Sequence, residues 1–150
     1  MKIALANRQK RLRIETKTLR KAAEKILNVL GYSDSELSVA IVGDRSIRRL
    51  NREYLARDKS TNVISFPMLE GPFAELNPRI LGDVVVSAAT CAREAEEGGM
   101  SFHARLCFLM LHGILHLTGY DHERSGEAEA QRMEEKEGEI FRMLEEEGYV

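Results

Sequence analysis

Three of the chain's four histidines fall in the run His112-Gly113-Ile114-Leu115-His116-Leu117-Thr118-Gly119-Tyr120-Asp121-His122. His112 and His116 are four residues apart in an apolar stretch. On a helix their imidazoles project from one face, a turn apart, where a single cation can bridge them. Gly119 stands where a helix commonly ends, because a residue without Cβ enters the left-handed region at little cost and reverses the chain. That reversal can return His122 to the same cation. Three neutral imidazoles suit a borderline-soft ion such as zinc, one per chain, and leave a tetrahedral position open for water or substrate. An open position points to catalysis rather than to a structural staple.

The spacing His-x-x-x-His-x-x-Gly-x-x-His is shared with the metzincin zinc proteases, whose second motif position is a glutamate that serves as general base. Gly113 occupies it here. Glycine cannot take a proton from water, so peptidase chemistry loses its base while the ligand spacing survives.

The elements that must position these histidines are legible from periodicity. Leu19, Ala22, Ala23, Ile26, Leu27 and Leu30 give Thr16 to Leu30 a helical stripe, and Gly31 stops it. Glu36 to Val42 alternates as a strand, followed by a helix through Ile47, Leu50 and Tyr54 that Asp44 or Ser46 can cap. Short strand signals also surround Ile3 and Leu5, Asn62 to Phe66, and Ile80 to Ser87. Met68 to Arg79, with Gly71, Pro72 and Pro78, reads as a loop or hairpin tip. Ser87 introduces a helix to about Glu97, broken by Gly98-Gly99, and Ser101 caps the motif helix. The motif helix is apolar on nearly all sides, so it is expected at the centre of the molecule. A last helix runs from about Ser125 to Glu147, with Met133, Ile140, Phe141 and Leu144 inward and its glutamates outward. The pattern predicts one α+β domain over residues 1–150, with a small mixed β-sheet flanked by helices and the metal site on the central helix and the turn after it.

At 150 residues the chain can bury a core without disulfide or metal staples. Cys91 and Cys107 form no Cys-x-x-Cys pair, which argues against a thiolate zinc site or a disulfide framework and fits a reducing, cytoplasmic setting. The apolar start is short for the hydrophobic region of a signal peptide, and the strongest apolar stretch, Leu106 to Leu117, falls short of a membrane span, so neither export nor a membrane setting is expected. The net charge of −2 conceals an asymmetry. Basic residues gather before Lys25 and again at Arg45, Arg48, Arg49, Arg52, Arg57 and Lys59, whereas glutamates dominate the C-terminal stretch. Basic groups near a metal suit a polyanion such as RNA, although solvated helix faces produce the same composition.

Beside the histidine motif, Leu50-Asn51 followed by Asp58-Lys59-Ser60-Thr61-Asn62-Val63-Ile64-Ser65-Phe66-Pro67, and then Leu81-Gly82-Asp83-Val84-Val85-Val86-Ser87, complete three motifs in order. Over nearly its whole length the chain resembles the YbeY family of bacterial rRNA maturation factors. The resemblance implies a zinc-dependent, single-strand-specific endoribonuclease acting in rRNA maturation and ribosome quality control, with the ribosome or a ribosomal subunit as partner. It assigns the zinc to His112, His116 and His122. One departure is visible. The family's arginine before the small residue that precedes Lys-Asp is replaced here by Leu55, and Arg57 stands two positions later.

Arg57 and Lys59 are the candidates for contacting phosphate, since guanidinium binds it bidentately and ammonium acts as a compact charge. Asp83 is a candidate catalytic residue, as base or as the carboxylate that orients a ligand histidine, or else it caps the following helix. Asp121 can serve the same outer shell or stabilise the turn. His103 reads as polar surface or packing, and Cys107 as core. Two rival functions carry the same motifs: a non-catalytic zinc-containing ribosome assembly factor, and a zinc hydrolase of a small molecule.

Overall fold

The computed structural model describes residues 2–68, 79–120 and 126–150. Strands β1 (Lys2–Asn7), β2 (Glu36–Val42), β3 (Val63–Pro67) and β4 (Ile80–Ser87) form one mixed sheet in the order β1-β2-β4-β3. The β1–β2 and β2–β4 pairs are parallel, and β3 runs antiparallel to β4 at one edge. Helices α1 (Thr16–Leu30), α2 (Asp44–Leu55), α3 (Ala88–Glu97), α4 (Phe102–Leu117) and α5 (Glu127–Glu146) complete the chain.

The core lies mainly on one face of the sheet, where side chains of α1, α3, α4 and α5 join Leu37, Val39, Ile41, Val84 and Val86. Nine residues of α4 are buried, which makes it the central helix that its apolar sequence predicts. No single helix among the described residues is long and apolar enough to cross a membrane. On the opposite face α2 covers only part of the sheet, through a smaller cluster of Val42, Ile47, Ile64 and Val85. Beside it remains a groove of about 550 Å³, lined in part by the small residues Ala4, Ala6, Ser38 and Ala40, with the exposed Tyr54 ring edge-on to Phe66 at 5.6 Å. Gly82 on β4 has φ +138° and faces the Phe66 carbonyl so closely that no Cβ fits, which explains the glycine in Leu81-Gly82-Asp83.

Two capping expectations change. The N-cap of α2 is Gly43, with Asp44 in the first helical turn. The N-cap of α3 is Ser87, whose Oγ accepts from the Thr90 amide at 3.2 Å, so Asp83 caps nothing there. Asp44 instead joins the two helices. One of its oxygens accepts 2.6 Å hydrogen bonds from the Ser87 and Thr90 hydroxyls, and the other pairs with Arg93 at 3.0 Å. Burial alone raises this carboxyl's pKa, but the bonds from Ser87, Thr90 and Arg93, together with the arginine's charge, outweigh it and hold it below the ordinary value.

A carboxyl depressed in the folded state contributes stability above its unfolded pKa and loses it as pH falls through the folded one. Asp44→Ala is therefore expected to cost about 2 kcal/mol at neutral pH, because it leaves the buried Ser87 hydroxyl without its acceptor. The difference from wild type should shrink below about pH 4. Urea titrations at pH 7 and pH 3 check this, and an unchanged gap between the two would refute it.

Candidate metal centre

Helix α4 ends as its sequence predicts. Gly119 adopts φ +101°, and the Tyr120 amide donates back to the Leu115 carbonyl at 3.0 Å, the closing bond of a Schellman motif. His112 and His116 stand half-buried on the last turns of this helix. Their rings meet edge to face with centroids 4.8 Å apart, and the two Nε2 atoms face each other at 3.2 Å. Such a separation suits an N–H···N hydrogen bond. It also suits one tetrahedral ion, since two ligands at Zn–N distances of ~2.05 Å stand about 3.3 Å apart. By donor chemistry and spacing the pair fits zinc. Among the described residues no group of three or more histidine, cysteine, aspartate or glutamate side chains forms a metal cluster. The third expected ligand, His122, lies outside the described residues, as does Asp121.

The other ring nitrogen of His112 is committed. Its Nδ1 is 2.6 Å from Oε2 of Glu137 on α5, and the glutamate side chain is only 12% exposed. A carboxylate oxygen only accepts, so Nδ1 carries the proton and donates, leaving the Nε2 lone pair directed at the point shared with His116. This residue escaped the sequence reading, which turned all the glutamates of α5 outward. Its phase was the available signal: Glu137 comes four residues after buried Met133 and three before buried Ile140, on the helix's apolar stripe.

Gly113 fixes how closely α4 approaches the sheet. A Cβ there would lie 2.6 Å from Val84 Cγ1 and 3.2 Å from Ser65 Oγ. The Ser65 hydroxyl donates to the Gly113 carbonyl at 2.9 Å, tying the helix to β3 between the two histidines. The glutamate of a metzincin has no room at this position. Gly113 thus serves packing as well as removing a base.

Asp83 is not brought to the histidines. Because side chains alternate along β4, Val84 meets α4 and Asp83 points to the groove on the opposite face, exposed beside Ser38 and Phe66. The carboxylate that meets His112 is that of Glu137. Arg57 and Lys59 lie exposed in the turn between α2 and β3. Buried Asn51 shapes that turn: its side-chain amide donates to the Lys59 carbonyl at 2.9 Å, and its backbone carbonyl accepts from the Arg57 amide. Asp58, whose carboxyl is held below its ordinary pKa by the Arg48 hydrogen bond, pairs with Arg48 at 2.9 Å and Arg52 at 4.0 Å. Among the described residues neither Arg57 nor Lys59 has an ion-pair partner. The His103 Nε2–H donates to the Tyr149 carbonyl, 2.9 Å away, and Cys107 is fully buried with its thiol pushed up to about 12 by that burial. Of the two readings of His103, packing against the C-terminal segment holds, and burial disfavours the thiolate of Cys107.

Residues 4–145 match the family model described as Endoribonuclease YbeY. A protein of that name from Geobacter metallireducens is 70% identical over 150 residues, covering all of both chains. Another from Geobacter sulfurreducens is 67% identical, again over the full length of both. The fold is similar to the solution structure of a Thermotoga maritima protein, with a TM-score of 0.63 over 98% of this chain and 94% of that one at 23% identity. With family, fold and histidine geometry in agreement, the chain belongs to the YbeY family.

Proposed function

We propose that this chain is a zinc-dependent, single-strand-specific endoribonuclease that acts on rRNA in the cytoplasm, in ribosome maturation and quality control. The family's name supports the nuclease activity. The observation that carries the metal dependence is the 3.2 Å approach of the His112 and His116 Nε2 atoms, with the far side of His112 held by Glu137. His112, His116 and His122 are the residues that would hold the ion. Bound zinc supplies Lewis acidity at a phosphoryl oxygen.

The chain's own residues do the rest. The two described histidines bring their Nε2 atoms to one point, and the exposed turn carrying Arg57 and Lys59 offers cations to the substrate's phosphates. The opposite face, where Asp83 lies, takes no part at the metal. RNA brings its own nucleophile, the 2′-hydroxyl, which relieves the site of part of the work of the glutamate that Gly113 replaces.

The test is cleavage of matched single-stranded RNA and DNA by protein purified under identical conditions, before and after chelation and again after zinc is restored. RNA should be cut, DNA should resist, and chelation should abolish cleavage reversibly. Equal cutting of both strands, or cutting indifferent to chelation, would sink the proposal. Tight RNA binding without any cleavage would favour the assembly-factor reading instead.

A further inference from the structure

Helix α5 is rich in glutamate, and nearly all of these residues face solvent, as the helix's charge requires. Glu137 differs in lying on the stripe that buries Met133, Ile140 and Leu144, a position where an apolar residue would pack at no electrostatic cost. A carboxylate kept there needs a partner to offset its desolvation, and His112 Nδ1 at 2.6 Å is one. We infer that Glu137 is a positioning residue of the metal centre: by accepting the Nδ1 proton it fixes the tautomer and ring plane of His112, and so aims its Nε2 at the ion. This rests on the zinc reading above.

The geometry separates this role from mere attachment of α5. Helix α5 already reaches the core through Met133, Ile140 and Leu144, all at most 1% exposed, and Phe141 stacks edge-on against Phe108 of α4 at 5.4 Å. Those contacts dock the helix whatever stands at 137. Without an acceptor, the imidazole is free to take the other tautomer, whose protonated Nε2 cannot ligate. Partners of this kind typically alter metal affinity by ~10- to 100-fold.

The experiment compares full-length wild type with Glu137→Leu, Glu137→Ala and Glu137→Gln. Leucine removes the acceptor but suits the apolar stripe, alanine removes it without adding bulk, and glutamine keeps a carbonyl acceptor. Zinc affinity is read by competition with a chromophoric chelator, ligand geometry from the d–d absorption of the Co²⁺-loaded proteins, and folding from thermal melts without metal. Leucine and alanine should each weaken zinc binding ~10- to 100-fold and alter the cobalt spectrum, while glutamine restores most of both. Wild-type affinity and spectrum in a folded leucine or alanine variant would overturn the assignment, as would glutamine faring no better than leucine. A wild-type protein that binds neither ion overturns the zinc reading itself, and the role of Glu137 falls with it.

Discussion

His116→Ala is expected to reduce cleavage of single-stranded RNA by ~10³-fold or more, while the protein keeps its fold. Three imidazoles are the ligands proposed for the ion. Losing one forfeits several kcal/mol of charge stabilisation, and each ~1.4 kcal/mol is tenfold in rate. The fold should tolerate the change, because His116 is half-buried at the end of α4 and lies outside the main cluster of core residues. Single-turnover cleavage, with enzyme in excess over substrate and above the Kd, separates lost chemistry from lost binding. A variant that cuts at the wild-type rate would show that the histidine pair does not serve the reaction. His112→Ala should behave alike, with the added penalty of a half-buried Glu137 left without its partner.

The second large effect is on stability. Gly113→Ala normally gains about 1 kcal/mol of helix propensity, but here the new methyl meets Val84 Cγ1 at 2.6 Å. Val84 is fully buried and β-branched, so it has little freedom to turn aside. Helix α4 must lift from the sheet, stretching the bond from Ser65 to the Gly113 carbonyl. Overpacking of this kind typically costs 1–3 kcal/mol, so against the gain in propensity the net loss is about 1 kcal/mol, which lowers Tm by roughly 2–4 °C. Gly113→Glu should fare far worse, by more than about 4 kcal/mol, since it forces an unpaired charge into the helix–sheet seam. Adding Val84→Ala to Gly113→Ala should make the pair less damaging than the sum of the singles. Strict additivity, or a Gly113→Ala protein that melts as late as wild type, would refute the steric account.

Much of this was legible in the residues. Thr16–Leu30, Glu36–Val42 and Ile80–Ser87 emerge with the boundaries that periodicity and flanking glycines predict, because each buries one regular stripe or face. The two helical histidines are legible for the same reason: an i, i+4 pair has only one geometry on a helix. Asp83 was harder to place. Three consecutive valines follow it, both faces of β4 are covered there, and the alternation that assigns Asp83 to the far face is hidden in a uniformly apolar run. Glu137 was obscured in the opposite way, as one carboxylate among many on a helix whose outward face needs them. Which carboxylate turns inward depends on how α5 lies across α4, and that angle is set by tertiary packing. The same holds for Asp44, whose partners Ser87 and Thr90 are brought to it by the sheet.

His116 lies in the last turn of a sixteen-residue helix whose peptide dipoles all point one way. Their sum places roughly half a negative charge at that end. Such an end favours a cation over a phosphate. On the zinc reading proposed above, a cation held by the histidines would offset that negative end, and without it the backbone dipole alone would disfavour a phosphate there.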